Sequence, residues 1–142
     1  LKYLAGRVPD VELALYLKQM SLIVADDYPL YRQLQEARDH GEFHLTLVNP
    51  FEYQALTDKS AVIGQRIRVK LYGLGRVSQG KHSAFFVVAG SNDGQFLRQN
   101  LLLPNKDFHI TLGFKEKDVH GVSKGMATLI CKGAQSTCQA PK

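Results

Sequence analysis

Phe43-His44-Leu45-Thr46-Leu47-Val48 alternates apolar and polar residues over its first five positions. A period of two is the mark of a β-strand with one buried face, because successive side chains point to opposite sides of the sheet. Asn49-Pro50 closes the run, since proline has no N–H for a ladder. Nearly the same string returns 65 residues later (44 to 109) as Phe108-His109-Ile110-Thr111-Leu112. In a chain with five histidines and 44% hydrophobic residues, two His-apolar-Thr-apolar strings arise by chance with odds on the order of one in a thousand. The repeat carries information.

Outward from the two strings, Asp10 reads as the cap of a short helix through Val11, Leu13, Ala14 and Leu17. A second helix starts at Asp26-Asp27-Tyr28-Pro29 and runs through Leu30, Leu34 and Ala37 until Gly41 takes the left-handed turn. Phe51 to Leu56 reads as a helical turn. Arg66 to Val77 alternates again, and Ala84 to Ala89 is a continuous apolar run typical of a buried strand. Ser91-Asn92-Asp93-Gly94 forms a turn or cap before a helix from Gln95 to Leu102. Gly113 is expected to stop the second motif strand, and Met126 to Cys131 adds a last strand. Strands and helices mix without a βαβ rhythm, so the fold class is α+β with antiparallel sheet.

Composition narrows the function classes. The 142 residues, with 22% charged side chains, match one ordinary globular domain over 1–142, not a disordered, collagen-like or coiled-coil chain. Leu1 stands where a Met would begin a chain, which reads as a domain excised from a longer one. No run approaches the roughly 18 apolar residues of a membrane span, and Glu12, Lys18 and Gln19 interrupt Val11 to Ala25 as a secretory signal. Cys131 and Cys138 make neither a disulfide framework nor a four-ligand zinc pattern. The expected setting is therefore reducing and cytoplasmic, with no role for the pair. A formal net charge of +5 and a pI near 9.3 favour polyanions such as RNA or nucleotides. Nothing demands more than a monomer.

The polar face of each string holds an imidazole beside a hydroxyl. If the two copies face one cleft, His44, Thr46, His109 and Thr111 suit cleavage of a phosphodiester without metal. One histidine takes a proton from the attacking oxygen and the other gives one to the leaving oxygen. The threonines donate to the non-bridging oxygens as charge builds there. Histidine fits because both of its forms coexist near neutral pH. A metal site is disfavoured, because no carboxylate sits at helical spacing from a histidine and Gly41 breaks the His40–His44 pair.

Two apolar-flanked His-x-Thr-x motifs half a small domain apart resemble the two-histidine (2H) phosphoesterase superfamily. That group includes the LigT-like RNA phosphodiesterases, cyclic nucleotide phosphodiesterases and 2′,5′-oligoadenylate phosphodiesterases. The resemblance implies two pseudo-symmetric α+β lobes around a central cleft, with no metal and no cofactor. It implies that His44 and His109 are the acid/base pair and Thr46 and Thr111 the phosphate ligands, without saying which histidine is which. The reading that follows is a phosphodiesterase acting at a 2′ oxygen of RNA ends or small nucleotides, a 2′,3′-cyclic phosphate or a 2′,5′ linkage. A cyclic dinucleotide or a 2′,5′-oligoadenylate signal is the close alternative. A non-catalytic RNA-binding module is the rival of another class.

Substrate-binding candidates lie around the motifs. Arg66, Arg68, Lys70 and Tyr72 make a basic stripe with an aromatic end, suited to a phosphate and a stacked base or equally to a solvated strand face. Tyr53, Phe114 and Lys115 follow the motifs closely enough to stand at a cleft mouth. His120 reads as a surface-loop histidine, and His40 and His82 as structural or exposed.

Overall fold

Alternation sends Phe43, Leu45 and Leu47 into the core and leaves His44 and Thr46 on the opposite face, and the same division holds along the second string. The computed structural model, which describes residues 2–57, 64, 66–134 and 138, builds both strings into one sheet. Its six strands are β1 (Leu4–Val8), β2 (Phe43–Val48), β3 (Lys70–Gln79), β4 (His82–Gly90), β5 (Phe108–Lys115) and β6 (Leu129–Lys132). They run in the order β1-β2-β5-β4-β3-β6, each antiparallel to its neighbours. The two motif strands are direct neighbours, paired at Leu45 opposite Ile110. The α+β class with antiparallel sheet holds, and the halves that carry the motifs join edge to edge in that sheet.

Helices α1 (Ala14–Val24), α2 (Tyr28–Asp39) and α4 (Asn92–Asn100) cover the apolar face, and the short α3 (Pro50–Gln54) follows β2. Leu13, Tyr16, Met20, Tyr31 and Leu97 pack there against Leu45, Leu47, Phe85, Phe108, Ile110 and Leu112. Burying such side chains is worth about 1.5–3 kcal/mol each. The core therefore fixes which face of β2 and β5 stays open.

Several boundaries differ from the sequence reading, each for a local reason. A 3-10 turn over Asp10–Leu13 precedes α1, and the helix runs on to Val24. α2 ends with two left-handed residues, His40 (φ 57°) before Gly41 (φ 75°), and the Gly41 N–H donates to the Glu36 carbonyl at 2.9 Å. Gly113 does not stop β5. It lies inside the strand because a Cβ there would sit 2.6 Å from the Met20 methyl and 3.0 Å from the Tyr31 carbonyl. Arg66 to Val69 stay out of β3, since the Arg68 backbone is engaged by the α4 cap. Its N–H donates to Asp93 Oδ2 at 2.9 Å, and its carbonyl accepts from Ser91 Oγ at 2.8 Å. β1 is an edge strand that the sequence reading left unassigned. Cys131 and Cys138 form a disulfide.

Arg98 ties α4 to the end of β2. It is 1% exposed. Its Nη1 and Nη2 donate to the two carboxylate oxygens of Glu52 at 2.9 and 2.8 Å. Nη1 also reaches the Leu47 carbonyl and Nε the Pro104 carbonyl, both at 2.8 Å. Glu52 in turn closes a capping box with Asn49. Removing one partner of such a buried pair strands the other. Arg98→Met is expected to cost about 3 kcal/mol by denaturant unfolding, and a cost below about 1 kcal/mol, the range of a surface ion pair, would refute the clamp.

Candidate active site

Antiparallel pairing at Leu45 and Ile110 sets His44 across from Thr111 and Thr46 across from His109 on the open face. Residues directly opposite on neighbouring strands have Cβ atoms roughly 4.5–5.5 Å apart. The four polar side chains thus form a checkerboard of two imidazoles and two hydroxyls. All four line one cleft of about 770 Å³. Its walls come from Tyr3, from Arg38 and Asp39 at the end of α2, from Asn49 and Pro50, from Lys106 and Asp107, and from the loop 118–124 after β5.

The rings are held by neighbours. Tyr3 lies against His44 with ring centroids 5.6 Å apart. Phe86, fully buried on β4, meets His109 edge-on at 5.7 Å. Phe86 sits over β3 only because residue 75 is glycine: a Cβ there would come within 2.5 Å of its ring.

Burial pushes the His44 imidazole below its ordinary value. Asp39 and Glu42 oppose that shift and Arg38 adds to it. His109 is driven down to about 3, first by burial, then by the Lys124 ammonium, with Lys106 and His44 adding and Asp118 opposing. A chain of alternating charge backs the cleft. Arg38 donates to both Asp39 and Asp118, and Lys124 Nζ donates to Asp118 Oδ1 at 3.1 Å. Burial would raise the Asp118 carboxyl, but Lys124 and Arg38 hold it below its usual range. Burial lowers the Lys124 ammonium, and Asp118 counters it. Among the described residues no group of three or more His, Cys, Asp or Glu is placed to hold a metal ion.

The other candidates stand elsewhere. Arg68, Lys70 and Tyr72 line a second groove of about 350 Å³ with residues 90–93. There Arg68 is paired with Asp93 at 3.0 Å, and Lys70 lies 5.4 Å from the Tyr72 ring centroid. Arg66 lines a third groove, along β1. Tyr53 is half-buried on α3 against the core. Phe114 is buried with Ala84 and Val119, under the Arg38 guanidinium at 4.9 Å. Lys115 ends β5 opposite Ser83. None of these seven lines the cleft, whereas His120 does, from an exposed position. The sequence reading passed over Arg38, Asp39, Asp118 and Lys124. Their one local signal is two charges, Asp118 and Lys124, in a glycine- and serine-containing loop directly after the second motif.

Two adjacent strands present their His-x-Thr pairs to one cleft. Residues 13–120 match the family model of the 2H-SAK (Swiss Army Knife) 2H phosphoesterase domain. The chain belongs to this family. Searches of curated proteins and of solved structures gave no match.

A histidine kept neutral in the fold, but free to take a proton near 6.5 when unfolded, removes stability as pH falls. Stability is therefore expected to drop between pH 6.5 and about 3. The His109 share of the slope is at most about 1.4 kcal/mol per pH unit, one proton's worth. Denaturant melts across that window should show a shallower fall for His109→Gln. Equal slopes for both proteins would contradict a neutral, buried His109.

Proposed function

We propose that the protein is a metal-independent phosphodiesterase that cleaves a phosphodiester at a 2′ oxygen in RNA ends or small nucleotides. A 2′,3′-cyclic phosphate or a 2′,5′ linkage is the expected substrate bond. The in-register checkerboard of His44, Thr46, His109 and Thr111 at the floor of the cleft carries the reading. The phosphoesterase family of the chain supports its coarser part.

In this mechanism His109 is the general base, because its burial keeps it neutral. It accepts the proton of the attacking oxygen as that oxygen bonds to phosphorus. The bond from phosphorus to the leaving ribose oxygen breaks, and His44 supplies the proton that this oxygen needs. His44 suits the acid role because Asp39 and Glu42 favour its protonated form. Thr46 and Thr111 donate to the non-bridging oxygens, where charge grows. The negative charge of bound phosphate raises both imidazoles towards the range where proton transfer is efficient. A 770 Å³ cleft lies within the size range of small-molecule sites, which also accommodates a cyclic dinucleotide or a short 2′,5′-oligoadenylate.

The test is a chelator-containing assay over 2′,3′-cyclic nucleotides, 2′,5′-oligoadenylate, 3′,5′-linked RNA and cyclic dinucleotides. Wild type should turn over one class, unaffected by chelator, and His44→Ala or His109→Ala should each lose about two to four orders of magnitude in rate. Near-wild-type turnover in either variant removes the mechanism. Salt-sensitive RNA binding without product would favour the binding module. In the free enzyme His109 is already neutral and His44 titrates below 6.5. The value of kcat/KM should therefore rise from pH 7.5 to 5.5 as His44 gains its proton. A symmetric bell centred near pH 7 would contradict a His109 that is already neutral across this range.

A further inference from the structure

We propose that Lys124 is a further catalytic residue, its ammonium meeting a non-bridging oxygen of the reacting phosphate, and that Asp118 is the residue that positions it. The inference rests on the phosphoesterase reading of the cleft.

Lys124 is 7% exposed and is among the residues that line the cleft. An ammonium has three donors. Among the described residues one hydrogen-bond partner, Asp118 Oδ1 at 3.1 Å, takes one of them. Because Lys124 lines the cleft, the other two are left for a bound anion. Its Nζ lies 5.6 Å from the centroid of the Phe86 ring, and the same ring meets His109 edge-on at 5.7 Å. One buried aromatic thus contacts both the ammonium and the proposed base. Of the charges acting on His109, that of Lys124 is the strongest.

A purely structural role explains this placement poorly. Asp118 already receives Arg38, which joins the loop to α2. A buried ion pair contributes little net stability compared with an apolar contact of the same shape. A desolvated cation aimed at the place where negative charge grows has the opposite economy, because it stabilises the transition state without reorganising. Lys106, the other lysine of the cleft wall, is half-buried and acts on His109 less strongly. Arg38 is occupied by two carboxylates. Lys124 is therefore the cation with both the position and the free donors to receive a phosphate beside His109.

The experiment compares wild type, Lys124→Met and Lys124→Gln, with thermal melts to show folding. Inorganic phosphate is titrated by calorimetry, and the substrate that wild type hydrolyses is assayed for kcat and KM separately. Phosphate affinity should fall about tenfold and kcat about a hundredfold, with KM changing less. In wild type the 15N resonance of Lys124 Nζ should shift as phosphate is added. Unchanged phosphate affinity in a folded variant, or no shift of the Nζ resonance, overturns the proposal. The Nζ measurement decides the matter alone if neither variant folds. Loss of turnover in the histidine variants with Lys124→Met fully active sinks this inference and leaves the phosphodiesterase reading standing. A phosphate-dependent Nζ shift in a wild type that hydrolyses none of the four substrate classes retains the anion contact, and it is then the phosphodiesterase reading that fails.

Discussion

The pairing of β2 with β5 at Leu45 opposite Ile110 underlies every other feature of the cleft. A slip of one residue in either strand would turn its whole set of side chains over. His44 and Thr46 would then enter the core, and Phe43, Leu45 and Leu47 would face water. Those three residues are each at most 4% exposed, as is Phe108 with Ile110 and Leu112 on the partner strand. The register of the polar quartet is thus enforced from behind, by apolar burial, without any hydrogen bond between the four side chains themselves. The polar quartet and the buried apolar residues stand on opposite faces of the same two strands.

The second constraint is electrostatic. The charges behind the quartet, Asp39, Arg38, Asp118 and Lys124, alternate in sign and tie the end of α2 to the loop after β5. The arrangement leaves the loop 118–124 as a cleft wall. It also separates the surroundings of the two histidines. Asp39 and Glu42 favour the charged form of His44 against Arg38, whereas Lys124 and Lys106 oppose that of His109 against Asp118. Two closely similar motifs acquire different proton affinities first through burial, which is deeper at His109, and then through the charges beside them.

The net charge of +5 is not concentrated in this cleft. Arg68 is held by the α4 cap residues through its backbone and pairs with Asp93, while Lys70 stands over Tyr72 in a separate groove. Of the basic stripe, Arg68 is engaged with α4. Arg98, another cation of the sequence, is spent entirely inside the fold, holding Glu52 and the carbonyls of Leu47 and Pro104.

How much was legible follows from the range over which each pattern acts. Period-two alternation is a property of a few consecutive residues, so the strands around His44 and His109, their buried faces and the α+β class could be read directly. The boundaries at Gly113 and Arg66 could not, because each depends on a packed neighbour: Met20 and Tyr31 in one case, Ser91 and Asp93 in the other. The same division applies to the site. The amino-acid sequence alone determined the two imidazole–hydroxyl pairs, since each pair needs only a strand with one open face. Tertiary structure alone decided which charges join them. Arg38 and Asp118 are 80 residues apart and meet only after α2 has packed on β5. No local periodicity records such an encounter, because it is the closure of the chain that creates it.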